Sequence, residues 1–258
     1  RIAGLIADIG WITDVYGDPD IVPALAGAMK RKGLAKGRVG IAGQRFIMPA
    51  GVYDDLVRAL PGVEFVRADH VLDRVRAAKS PLEIQQNREL WAIAKAAMER
   101  YTEVLAPGRT EWQVAAEAIR TATALGGRDI LVYFNGQPPR NQPVAMKDIL
   151  GYHMEIEGPS GHWCELSVNI AFRDPTPLEL RLMDTELRFY EEIRRAAKPG
   201  ARIIDLIRIM ERVYGEDGWE LAAQQPDHND LHGQGMDVIE WPLYGSLEQH
   251  DAQVELQE

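Results

Sequence analysis

The sequence predicts a mixed α/β chain in two parts, and three observations carry that reading. Residues 1–75 alternate short apolar strands with amphipathic helices, the pattern of a small sheet with helices against it. Ser80-Pro81-Leu82-Glu83 then opens a much longer helix and breaks the alternation. Finally, a Pro-Gly corner leading into an amphipathic helix occurs twice, at Leu105–Arg120 and Ala197–Arg212, with Pro107 and Pro199 92 residues apart. A duplicated helix–helix–strand unit suggests two related halves packed with pseudo-symmetry in the part after residue 75.

The first part reads in order as a strand at Ile2–Ile9, a helix at Asp20–Lys32 and a short strand at Gly37–Gly43. A helix at Gly51–Leu60 and a strand at Val63–Val66 follow. The glycines of GRVGIAG do not form GxGxxG, which argues against a nucleotide site. In the second part the Ser80 capping box starts a helix that runs to about Leu105. Its stripe of Ile84, Leu90, Ile93, Ala94, Ala97, Met98, Tyr101 and Leu105 marks a buried face. Thr110-Glu111-Trp112-Gln113 is a second capping box, and its helix runs to about Leu125. Strands follow at Asp129–Phe134 and in the hairpin Asp148–Ile170. Gln224–His228 reads as loop, His232–Glu240 as one strand, and Asp251–Glu258 as the approach to another.

The hairpin concentrates the polar chemistry. At period two, His153, Glu155 and Glu157 share one face while Met154 and Ile156 share the other. After the turn Gly158-Pro159-Ser160-Gly161, residues Glu165, Ser167 and Asn169 alternate with Leu166, Val168 and Ile170. A wall of carboxylates, imidazole and hydroxyl suits acid/base work or metal ligation. The bland alternative is a solvated sheet face. Cys164 falls on the apolar face and reads as a packed thiol, and His162 also reads as packing. Glu83, Glu99, Glu103, Glu186, Glu191 and Glu192 read as solvated helix positions.

Composition narrows the function classes. The chain of 258 residues is 46% hydrophobic and 26% charged, a globular profile. Its net charge of −10 opposes nucleic-acid binding. No apolar run approaches the ~18 residues of a membrane span, so no membrane partner is expected. One cysteine excludes an internal disulfide framework and makes a reducing cytoplasm the default. The chain opens on Arg1 with no initiator methionine and stops at Glu258 without a cap, so both ends read as cuts through a longer protein.

Six landmarks in matching order resemble one family. Arg76-Ala77-Ala78-Lys79-Ser80-Pro81-Leu82-Glu83-Ile84 resembles its linker signature RxxKSxxEI. Pro107-Gly108 and Pro199-Gly200 resemble its two helix corners. Lys147-Asp148-Ile149-Leu150 is similar to its entry into the first metal strand, and Gly161–Ser167 to its GYxxD-h-T. His232-Gly233-Gln234-Gly235 with Glu240-Trp241-Pro242 is similar to its HGxG…HExP. The family is the pita-bread fold of aminopeptidase P, prolidase, methionine aminopeptidase and creatinase. The resemblance implies a partial creatinase-like N-terminal domain over 1–75 and a pita-bread domain over 76–258. The latter has a curved antiparallel sheet, and its last strands lie beyond the chain.

The resemblance also implies a site, with departures. His153 or Met154 stands where the first metal aspartate falls, and Glu155 is the nearest carboxylate. Glu165 replaces the second aspartate, His232 matches the metal histidine, and Ile239 replaces the second histidine of HExP. Arg140 or Asn141 takes the place of the histidine in the segment Asn135–Pro143, and the two glutamate ligands would follow Glu258. The implied catalytic residues are Glu165, His232 and Glu155, with Arg140 and Glu240 on substrate and Glu165, His232 and His153 as metal ligands. One or two divalent ions (Mn, Zn, Co or Fe) or none remain open. The implied function is hydrolysis of a C–N bond, Xaa-Pro peptidase-like or creatinase-like, on a short peptide or a small amidine or guanidino compound. The alternative is an altered lyase, or a non-catalytic ligand-binding homologue with a degenerate metal site. Relatives are usually dimers, which implies a homodimer.

Overall fold

A computed structural model of the chain describes residues 15, 19–44, 47–219, 229–245 and 254–256. The strand expected at Ile2–Ile9 and the loop at Gln224–His228 lie outside the described residues. The chain divides into two compact units, 1–75 and 76–258.

In the first unit, α1 (Ile21–Arg31) starts at Asp20, whose carboxylate accepts the Val22 N–H at 3.0 Å. β1 (Gly37–Ile41) pairs in parallel with β2 (Val63–Arg67), and α2 (Ala50–Ala59) lies between them in the chain. Ala26 and Met29 of α1 pack with Leu56 and Leu60 around Val63 to form the core. A helix with no counterpart in the sequence reading, α3 (Asp69–Ala77), begins at Asp69, which accepts the Gly43 N–H at 2.6 Å.

The second unit is built on α4 (Pro81–Val104) and α5 (Glu111–Ala124). The buried stripe of α4 begins at Leu90, and Ile84, expected in it, is exposed in the helix's first turn, ahead of the first residue that meets the core. Both capping boxes form: Ser80 and Thr110 each accept the N–H three residues on, and Glu83 and Gln113 reach back. The sheet has the order β3–β4–β5, with β3 (Ile130–Phe134), β4 (Ile149–Glu157) and β5 (Trp163–Ala171) all antiparallel. Leu150, Tyr152, Met154 and Ile156 of β4 are buried, while His153, Glu155 and Glu157 lie on the opposite face. Their apolar side packs on Leu90, Ala94, Ala97 and Tyr101 of α4 and on Val114, Ala118 and Ala122 of α5. Each large buried side chain here contributes about 1.5–3 kcal/mol by burial. Tyr101 and Tyr152 stack with ring centroids 3.5 Å apart at the centre of this core.

The duplication appears in the elements that follow. α6 (Pro177–Ala196) and α7 (Ile203–Glu216) flank Pro199-Gly200 as α4 and α5 flank Pro107-Gly108. Gly108 and Gly200 both turn the corner at positive φ, +82° and +87°, where a side chain would be strained. Pro143 bridges to Thr110 beside the start of α5, and Glu255 bridges to Arg202 beside the start of α7.

The segment His232–Glu240 is not one strand. β6 (Asn229–Gly233) and β7 (Glu240–Gly245) pair antiparallel across a turn at 234–239. The physical reason is the Glu240 carboxylate, which accepts the N–H groups of Met236 (2.7 Å) and Asp237 (3.2 Å) and folds the chain back.

Candidate active site

The polar face of the β4–β5 hairpin forms the floor of the site. At the ladder's ends Phe172 donates to the Asp148 carbonyl and Gly158 to that of His162, which sets the phase of the pairing. Glu155 opposite Glu165, and His153 opposite Ser167, are therefore non-hydrogen-bonded pairs, the kind whose side chains sit closer. His153 is held at both ring nitrogens: Nδ1 lies 2.8 Å from Ser167 Oγ and Nε2 lies 3.0 Å from Glu155 Oε1. The Tyr133 ring flanks the imidazole at 5.8 Å. Burial and the neighbouring Glu155 charge push the Tyr133 hydroxyl up from its ordinary pKa.

A second pair stands against this floor. His232 Nδ1 lies 2.8 Å from the Gly233 carbonyl oxygen, so Nδ1 carries the proton and donates. That leaves Nε2 as the open nitrogen, 3.7 Å from Glu165 Oε1. Gln234 donates Nε2–H to the same Glu165 oxygen at 2.9 Å and fixes the carboxylate. The 234–237 turn is braced from two further sides. The Trp163 N–H donates to the Gly235 carbonyl at 2.7 Å. Glu240, only 6% exposed, grips the turn's N–H groups and also takes Lys79 Nζ at 2.8 Å and Arg76. A Cβ on Gly235 would stand 2.5 Å from Glu240 Oε2, so the carboxylate can approach only because residue 235 has no side chain.

The expected residues therefore separate. Glu165, His232, Glu155 and His153 come together on and above the hairpin. Glu240 lies within the same unit, but both of its oxygens serve the turn and the two linker cations. Arg140 is exposed on the β3–β4 connection, its N–H donating to Glu111 Oε2 at 2.8 Å, and its guanidinium has no partner among the described residues. Cys164 is 2% exposed, and burial pushes its thiol up to about 12. His162 is 3% exposed, between Ser160 and Glu83.

Two contributors escaped the sequence reading. Gln234 occupies the variable position of HGxG, where residue type carries no signal. Glu111 anchors the β3–β4 connection through Arg140 N–H and Gln142 Nε2. Inside the capping-box run Thr110–Gln113 no sequence pattern marks it as an anchor.

Metal fit can be tested on the donors. Glu165 and His232 face each other, but both His153 nitrogens already have partners, and Glu155 is one of them. Among the described residues no group of three or more His, Cys, Asp or Glu converges on one point. A zinc site takes three or four protein donors, so the described residues alone do not complete one. No helix among them is long and apolar enough to cross a membrane.

Comparison with known proteins places the chain. The sequence model of metallopeptidase family M24 matches residues 85–258. An uncharacterized hydrolase/peptidase of Sinorhizobium fredii is 27% identical over 173 residues, 62% of this chain and 44% of that protein. The Xaa-Pro dipeptidase of Pyrococcus horikoshii is 23% identical over 210 residues, 76% of this chain and 57% of that protein. The chain thus spans about half the length of these curated relatives. A solved dipeptidase of Pyrococcus horikoshii superposes with a TM-score of 0.80 at 17% identity, covering 100% of this chain and 71% of that one. At that identity the likeness shows the fold.

Proposed function

The chain belongs to metallopeptidase family M24, and from that premise we propose that it hydrolyses a C–N bond with Glu165 and His232 as the reacting pair. The observation that carries the reading is their mutual geometry. Gln234 and the Gly233 carbonyl hold each group from behind, and the 3.7 Å between Glu165 Oε1 and His232 Nε2 leaves both free to touch a third atom. Glu165 takes a proton from a water that attacks the carbon of the C–N bond. Protonated His232 delivers a proton to the departing nitrogen, so the bond breaks with a neutral amine leaving. Because the described donors fall short of a metal site, no step is routed through an ion.

The substrate class we infer is a short peptide with proline after the scissile bond, in line with the Xaa-Pro dipeptidase relative. A small amidine or guanidino compound is the second candidate, favoured by the facing carboxylates Glu155 and Glu165. Arg140 is proposed as an anchor for a substrate carboxylate. Residues 1–75 are proposed as the partial N-terminal domain, and a cytoplasmic homodimer as the working form.

The test is a panel of Xaa-Pro dipeptides against a panel of guanidino and cyclic-amidine compounds, with and without chelator. Glu165→Gln and His232→Ala should each lower kcat/KM by about 10²–10⁴. Turnover untouched by both substitutions defeats the assignment, and turnover lost with the chelator defeats the metal-free route.

A further inference from the structure

Ser167, His153 and Glu155 make a line of three groups that the Glu165–His232 pair does not use. The alternation of two strands puts them on one face, and the register sets Ser167 directly opposite His153. Glu155 lies two residues along from His153, on the same side. An ionised carboxylate only accepts, so the bond from His153 Nε2 to Glu155 Oε1 at 3.0 Å assigns the ring proton to Nε2. Nδ1 is then the lone-pair nitrogen, and it faces Ser167 Oγ at 2.8 Å, within reach of the hydroxyl proton. This is the order nucleophile, base, orienting carboxylate that activates a serine, with the two ring nitrogens exchanged relative to the commoner arrangement.

Access and an open backbone donor are also present. Ser167 is exposed, whereas the side chains of His153 and Glu155 are only 29% and 17% exposed, so the base is fixed and the nucleophile open. Trp163 sends its N–H away from β4 to the Gly235 carbonyl. Alternation sends the N–H groups of Glu165 and Ser167 the same way, and neither has an acceptor among the described residues. The Ser167 N–H is therefore an unengaged backbone donor on the nucleophile's own residue.

We propose that Ser167, His153 and Glu155 form a nucleophilic relay that accepts acyl groups from small activated esters. The proposal does not rest on the Glu165–His232 reading. Ser167 Oγ bonds to the acyl carbon while its proton passes to His153 Nδ1. The ester C–O bond breaks, and the leaving alkoxide takes that proton, giving acyl-Ser167 and free alcohol. Water then attacks the acyl carbon, gives a proton to Nδ1, and releases the carboxylic acid as Ser167 Oγ recovers the proton. Glu155 and Glu165 make the surroundings acidic, so the acyl donors are neutral or cationic and acyl phosphates are disfavoured.

The experiment is labelling of the purified chain with a fluorophosphonate probe, peptide mapping by mass spectrometry, and p-nitrophenyl acetate turnover. The label should sit on Ser167 and vanish in Ser167→Ala. It should form about 100-fold more slowly in His153→Gln and about tenfold more slowly in Glu155→Gln. Melting followed by circular dichroism checks that each variant folds; if one does not, the map of the unaltered chain decides. An unlabelled Ser167, or a rate unchanged in folded His153→Gln, overturns the proposal. Dipeptide hydrolysis with an unlabelled Ser167 sinks this proposal alone, and a labelled Ser167 without any C–N hydrolysis sinks the earlier reading alone.

Discussion

Replacing Glu240 tests the clamp that holds the active-site turn. Glu240→Ala removes the carboxylate that meets Lys79, Arg76 and the N–H groups of Met236 and Asp237. Breaking a buried ion pair from one side costs about 3–5 kcal/mol, because the partner charge is left uncompensated. Two facts pull toward the lower end. Arg76 keeps Asp237 at 2.7 Å, and Lys79 keeps the Arg76 carbonyl at 2.7 Å. The expected loss is about 3 kcal/mol, and with roughly 2–4 °C per kcal/mol for a unit of this size the melting temperature should fall about 6–12 °C. Urea titration followed by tryptophan fluorescence measures it. Glu240→Gln keeps an acceptor for both N–H groups and loses only the charge, so it should cost about 2 kcal/mol. Because the carboxylate is buried, salt should change either value little. A loss under ~1 kcal/mol for Glu240→Ala refutes the reasoning.

Four further outcomes follow from the same structure. Gly235→Ala should destabilise by about 2 kcal/mol, since its Cβ would meet Glu240 Oε2 at 2.5 Å; the penalty should shrink in a Glu240→Ala background, and simple additivity would speak against the close approach. Cys164 should resist a thiol reagent at pH 8 until denaturant is added, because burial pushes it up to about 12; fast native modification contradicts this. Arg100, then Arg120, hold the Glu117 carboxyl at about 2 against an ordinary 4.5. A depressed carboxyl contributes stability above the unfolded value, and loses it as pH falls from 4.5 through about 2. A carbon NMR titration midpoint near 4.5 would exclude the pairing. Tyr152→Phe should be neutral or stabilise by up to ~1 kcal/mol, because the buried hydroxyl has no partner among the described residues; a loss above ~1 kcal/mol would reveal one.

Local signals made the helices and the hairpin legible. A serine or threonine followed three residues later by a glutamate or glutamine marks a helix start by backbone chemistry alone, and Ser80 and Thr110 were found that way. Thr176-Pro177-Leu178-Glu179 carries the same code at the start of α6 and could have been read too. The faces of β4 were legible because strict alternation leaves one arrangement that buries Met154 and Ile156. The turn at 234–239 was not legible. It exists because Glu240 reaches back to Met236 and Asp237 and is neutralised by Arg76 and Lys79, 164 and 161 residues earlier. No window of local sequence holds that information. The same holds for Glu165: its place on the wall follows from period two, but its fixation by Gln234 comes from 69 residues away.

The clamp between Lys79 and Glu240 also sets an order of events in the making of the protein. The capped start of α4 and the β4–β5 hairpin rest on contacts that are complete by residue 172. The turn that fixes Glu165 and His232 closes only when Glu240 arrives, 161 residues after Lys79. During synthesis the helix-covered sheet and its polar face can form on the emerging chain while the turn that brings His232 and Gln234 to Glu165 is still absent. A nascent chain stopped short of residue 240 would therefore carry a folded core and the Ser167–His153–Glu155 line, without the clamped turn that sets His232 against Glu165.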